Sequence, residues 1–292
     1  MELKEPLSFQ DQVKMLQAHG LCVSDTAYAE KFLGRVNYYK FTGYTLQFRM
    51  GPSTSDLSGR HTFEEIAKLY DFDCELRQIL RKYIECVEVF YKTQIANYFA
   101  LEKCSQPPHN QHYDPANYFN KDGFNHLMET FSREQNYYAD SLIVRHHKEF
   151  YDGKMPLWVM VELMSFSSLS KFYNAMYVSS QENISKHSGI GAKTLANHLH
   201  CLSVLRNKCS HTSRLMNVHY NPPARLSRAF LQNHPAISNS SLFAYILVLQ
   251  WRLPLQEQKL QLKIEIIDLL DRYKDVLDLS LIGFPTIYKN LL

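Results

Sequence analysis

The sequence predicts an all-α fold, with one main helical domain over residues 61–292 and a small N-terminal helical extension over residues 1–60. Two observations predict it. The 292 residues include only 10 glycines and 11 prolines, too few for a chain of short strands and tight turns. From Phe63 to Phe99, apolar side chains recur near every 3.6 positions for roughly ten turns, the period of a helix face. At 45% apolar and 21% charged, the composition is that of a globular chain and not a disordered one. No period of 20–50 residues repeats, which excludes a solenoid.

LSFQDQVKMLQAHGL forms a short amphipathic helix with Phe9, Val13, Leu16 and Met15 toward one face, stopped by Gly20. Ser24-Asp25 caps a second helix, AYAEKFLGRV. The aromatic block NYYKFTGYTLQFRM fits helical and strand spacings and is assigned to helix because its neighbours are helical. Residues 51–61 form a Gly/Ser/Pro loop, and Thr62-x-x-Glu65 is a capping box that opens the long helix, whose weak point is Asp71–Asp73.

Residues 104–117 are a polar loop, and residues 118–150 one helix ended by Asp152-Gly153. Pro156 starts a strongly apolar helix, PLWVMVELMSFSSLSKFYNAMYV. Residues 179–192 form a shorter polar helix or loop, and Leu195 to about Met216 a helix or helix pair. Beyond Asn221-Pro222-Pro223 come further helical segments, including 241–253 and 256–279. The last shows a stripe of Leu260, Ile264, Ile267 and Leu270, continued by Val276 or Leu277.

The net charge is only +3, so an RNA site would be a local patch and not a global field. Six cysteines without a CxxC pair read as reduced thiols of a cytoplasmic protein. MELKEPLSFQDQVKML has no apolar core for a signal peptide, and no run of 18 apolar residues offers a membrane span. His109-x2-His112, His146-His147 and His198-x-His200 lack the spacing of a zinc site, so neither a metal nor a cofactor is expected.

The chemistry concentrates in Arg206-Asn207-Lys208-Cys209-Ser210-His211, where an apolar helix meets a polar, basic cluster. Asn207 and His211 are four apart and share a helix face, so the amide can orient the imidazole. Arg206 lies about 100° round, with a fork-shaped guanidinium suited to phosphate. The plain alternative is a polar helix end with a surface arginine and histidine. Glu162 and Glu88 both stand among apolar neighbours, and either could pair with Arg206. Arg214 and Asn217, three and six residues past His211, continue the helix and are candidates for RNA contact together with Lys208, or else cap its end. The aromatic block 38–48 could stack bases, but such a stripe is more often core.

LRNKCSHTSRLMN, the Trp158 helix, the segment LYDFDCELRQILRKYIECVEVFYKTQIA and VSDTAYAEKFLGRVNYYKFTGYTLQFR together resemble the Abi family of abortive-infection proteins, of the AbiD/AbiF type. Leu33, Val36, Asn37, Tyr38, Tyr39, Lys40, Phe41, Gly43 and Tyr44 match that family's opening region, and the likeness spans roughly residues 10–220. The resemblance places the chain in the HEPN superfamily, whose signature of Arg, a polar residue, three variable residues and His is matched by Arg206, Asn207 and His211.

It implies a metal-independent endoribonuclease of phage defence, a toxin working as a homodimer and restrained by an antitoxin or a guide-like non-coding RNA. His211 would take the 2′-OH proton, Arg206 would stabilise the phosphorane, and the product would be a 2′,3′-cyclic phosphate. A non-catalytic HEPN protein gripping a structured RNA is the alternative, and a protein-interaction module a more distant one. Three positions depart from the family: Lys92 stands for an arginine, Ser165-Phe166-Ser167 for the usual SFG, and Ser213 for the tyrosine modified by AMP addition in related toxins.

Overall fold

The computed structural model describes residues 5–51 and 54–292, and among these no strand forms. Residues 1–4 of the expected extension, and Pro52 and Ser53 of the expected loop, lie outside the described residues. Helix α1 (Phe9–Ala18) starts where the Ser8 hydroxyl accepts from the Asp11 N–H. It stops before Gly20, whose φ of +84° and 2.6 Å approach of an added Cβ to the Leu57 carbonyl oxygen leave room only for glycine. Val13 and Leu16 are buried, whereas Phe9 and Met15, expected with them, stay exposed. Asp25 caps α2 (Thr26–Leu33), and Asn37 caps α3 (Tyr38–Thr42), which leads into a 3₁₀ turn at Leu46–Phe48.

The capping box forms in full. The Thr62 hydroxyl accepts from the Glu65 N–H at 3.2 Å, and the Glu65 carboxylate accepts from the Thr62 N–H at 3.0 Å. It opens α4 (Phe63–Lys103), 41 residues long and unbroken at Asp71–Asp73. The two acidic residues there do not interrupt the helix, because Asp71 is exposed to water and Asp73, fully buried, receives donors from other parts of the chain.

Two long helices expected from the sequence are each broken by a serine cap. Residues 118–150 divide into α5 (Lys121–Tyr137) and α6 (Leu142–Tyr151), because the Ser141 hydroxyl accepts from the Val144 N–H and starts a new helix. Asp152 and Gly153 end α6 in left-handed conformations. The Trp158 stretch divides into α7 (Leu157–Leu163) and α8 (Phe166–Ala175), with the Ser165 hydroxyl accepting from the Ser168 N–H. Residues 178–186 form α9 (Val178–Lys186).

Then come α10 (Ala192–Ser210), α11 (Arg228–Asn233), α12 (Leu242–Arg252), α13 (Gln256–Arg272) and α14 (Tyr288–Leu291). Helix α12 is buried from Leu242 to Gln250, and α4 and α10 pack on it. Helix α13 is rotated partway from its expected stripe: Leu270 is buried and Ile267 packs against the core, joined by Leu262, Ile266 and Leu269, whereas Leu260 and Ile264 face water. Polar contacts to α4 fix that rotation, with Glu265 accepting from Lys82 at 2.6 Å and Tyr83 at 2.9 Å, and Glu75 accepting from Tyr273 at 2.6 Å.

Candidate functional site

Helix α10 carries the basic cluster because Leu195, Leu199, Leu202, Leu205 and Cys209 recur at helical spacing and bury one face. Burial pushes the Cys209 thiol up to about 12, so it is an inert packing group. The helix ends at Ser210, not near Met216. The His211 N–H donates to the Asn207 carbonyl and the Ser213 N–H to the Lys208 carbonyl, both at 2.9 Å, around Thr212 at φ +52°. This 6→1 closure is the Schellman pattern, with a threonine where glycine is the usual residue. A β-branched residue there is strained, of order 1–2 kcal/mol. The Lys40 ammonium of α3 donates to its hydroxyl at 2.7 Å.

A second device holds the segment after the helix. Asp73 accepts from the Leu215 N–H at 3.0 Å, the Met216 N–H at 3.2 Å and the Tyr44 hydroxyl at 2.8 Å, and pairs with Arg77. Arg77 also donates to the Ser213 carbonyl at 3.2 Å. The Arg214 guanidinium donates to the Gly43 carbonyl, and burial pulls its pKa down. None of these roles follows from the local sequence pattern. The available signal was Asp73-x3-Arg77, an i,i+4 ion pair on the buried face of a long helix.

His211 is exposed and opens on a cavity of about 610 Å³. Tyr39, Lys40 and Arg49 line its other wall, Thr212, Ser213 and Arg214 lie on the same side as His211, and no carboxylate residue lines it. The local field is therefore positive although the net charge of the chain is only +3.

Arg206 and Asn207 do not line this cavity. Arg206 Nε is 3.7 Å from Glu88 Oε2, and Lys92 Nζ is 3.4 Å from Glu88 Oε1. The pairing left open between Glu162 and Glu88 thus falls to Glu88. Glu162 is exposed and borders a separate cavity beside Trp158 and His109.

Asn207 does not orient the His211 ring. Its Nδ2 donates to Ser167 Oγ on α8 at 3.1 Å, so sharing a helix face does not make the two side chains meet. It borders a cavity of about 620 Å³, where Lys171 Nζ is 3.1 Å from His126 Nε2. Ser167 is one of the departures noted in the sequence, and it serves here as the acceptor.

Lys208 turns to Tyr220, with its ammonium 5.4 Å from the ring centre. Asn217 neither continues nor caps α10. It sits at φ +48°, and its N–H donates to the Leu281 carbonyl at 2.8 Å. Arg214 likewise lies beyond the helix, as a tether to α3. Among the described residues no three His, Cys, Asp or Glu side chains come together in a metal-ligating group.

A family model described as Abi-like protein matches residues 31–217, from α2 through the motif and the segment clamped by Asp73. The chain belongs to the Abi-like protein family. Membership in the Abi-like family suggests a place in abortive infection, that is, in phage defence. The match contains both walls of the His211 cavity and stops before α11–α14, which include the buried α12. No curated protein and no solved structure matches the chain. No described helix is long and apolar enough to cross a membrane.

Proposed function

We propose that this Abi-like protein is a HEPN-type, metal-independent endoribonuclease acting as a toxin in abortive infection. One observation supports this reading above the others: an exposed His211 at a helix end, in a cationic cavity lined by no carboxylate residue. Neutral His211 takes the proton from a ribose 2′-OH. The 2′-oxygen attacks the adjacent phosphorus, the P–O5′ bond breaks, and the products are a 2′,3′-cyclic phosphate and a 5′-hydroxyl.

Arg206, steadied by Glu88, offsets the extra negative charge of the phosphorane. Arg206 stands outside the cavity of its own His211, so in this reading two copies bring the groups together. The second copy's His211 then protonates the leaving oxygen. A partner, either an RNA or a protein, restrains the toxin until infection.

Brief expression of wild type and His211→Ala, followed by electrophoresis of total RNA, tests the reading. The variant should cleave about 10²–10⁴-fold less while remaining folded. Full cleavage by His211→Ala, or loss of wild-type cleavage in EDTA, would remove this mechanism. The separation of Arg206 from His211 within one copy also favours a second reading, an RNA-gripping protein without chemistry. It predicts affinity for RNA with no product from any substrate.

A further inference from the structure

The side of the cavity away from His211 is built by α3 and the 3₁₀ turn that follows it, and their side chains divide sharply. Asn37 Oδ1 accepts from the Tyr39 N–H at 2.9 Å and fixes where the helix begins. Phe41 then points into the core, stacked on Phe63 with ring centres 4.5 Å apart. Tyr44 reaches Asp73. Tyr39 lies two residues before Phe41, about 200° round the helix, and so must face away from the core. It is 86% exposed, the most exposed aromatic side chain among the described residues. The cations Lys40 and Arg49 line the same cavity together with Asn37, Thr42 and Leu46, and the buried Arg49 Nε has no hydrogen-bond partner. Arg214, tethered to the Gly43 carbonyl, holds the wall in place instead of reaching outward.

An aromatic ring held in water beside two cations and a concave cavity suits one ligand chemistry, an unpaired nucleobase with its phosphates. We propose that Tyr39 stacks one base of a single-stranded RNA next to the phosphate approached by His211, while Lys40 and Arg49 hold the backbone on either side. The proposal rests on the ribonuclease reading of His211 only for which phosphate is meant. Duplex RNA presents no free base face, so the subsite selects unpaired segments.

A short 2′-O-methyl oligoribonucleotide of mixed sequence, carrying one 2-aminopurine, cannot undergo 2′-attack and reports stacking by fluorescence quenching. Wild type should bind it with quenching. Tyr39→Ala should bind about tenfold more weakly without quenching, and Tyr39→Phe should restore both. Lys40→Gln and Arg49→Gln should each lower the slope of log affinity against log salt by about 0.7, a change Tyr39→Ala should not produce. Equal binding by wild type and Tyr39→Ala, equally tight binding of the same sequence as a duplex, or no binding by wild type overturns the proposal. Cleavage of unmodified RNA, measured alongside, separates the two readings. Cleavage with Tyr39-independent binding removes the subsite and keeps the nuclease. Tyr39-dependent binding without cleavage does the reverse.

Discussion

Arg206 of α10 pairs with Glu88 of α4 outside the cavity on which His211 opens. Glu88 is approached by Lys92 at 3.4 Å and by Arg206 at 3.7 Å, so one carboxylate steadies two cations on neighbouring helices. Arg206 keeps about a third of its side chain in water and remains available to a phosphate. A lysine at this position would preserve the charge but lose the planar fork that meets two phosphate oxygens together. Arg206→Lys is therefore expected to lower RNA cleavage by more than about tenfold. Its unfolding free energy should shift by no more than about 1 kcal/mol, as for other partly exposed pairs. Single-turnover cleavage and denaturant unfolding check the two halves, and wild-type cleavage by this variant would exclude Arg206 from transition-state stabilisation.

At the scale of elements, α4 acts as an anchor for the segment that leaves α10. Asp73 gathers two backbone N–H groups, a tyrosine hydroxyl and a guanidinium, and so fixes the path from Ser213 to Met216. Removing this carboxylate leaves Arg77 buried without its partner, a change that typically costs about 3–5 kcal/mol. Asp73→Ala should lose stability of that order in denaturant unfolding. Tyr44→Phe, which removes one hydrogen bond to a charged group, should lose about 1.5–3 kcal/mol. A loss below about 1 kcal/mol in Asp73→Ala would show that packing alone holds the segment. Ser141 and Ser165 each satisfy a free N–H of a new first turn. That local gain overrides the apolar periodicity that runs across the break.

Across the whole molecule, two histidines tie the fold to pH. His112 and His198 are buried, and burial pulls each imidazole down to about 4. His198 Nε2 lies 3.0 Å from the Arg225 carbonyl, whereas His198 Nδ1 and His112 Nε2 have no partner. The native state holds both rings neutral, and the unfolded chain protonates them near the ordinary value of 6.5. The unfolded state therefore binds more protons in acid. The stabilisation is complete above about pH 6.5 and is lost as pH falls toward about 4. At about pH 5 the loss should be about 2 kcal/mol for each histidine. Urea unfolding from neutral to acid pH measures it. His112→Phe, which keeps a ring among Tyr113 and Phe131, should flatten the profile. An unchanged profile in that variant would mean that His112 does not carry the effect.

The helical class, the capped start of α4, the basic cluster at the end of α10 and the kinship with abortive-infection proteins are all written in the linear chain. These rest on local rules: a 3.6-residue period, a cap three residues from its partner, and contiguous motifs. Which groups meet was settled by the folded packing. It gave Arg206 to Glu88 and not Glu162, turned Asn207 to Ser167 and not to His211, and set Tyr39 in water while Phe41 and Tyr44 went into the core. It also turned α13 so that Leu260 and Ile264 of its stripe meet water while Leu270 stays buried. Spacing along one helix fixes direction to within a face, but a contact between helices depends on their packing. Packing depends on residues as distant in sequence as Asp73 and Leu215, which no local pattern joins.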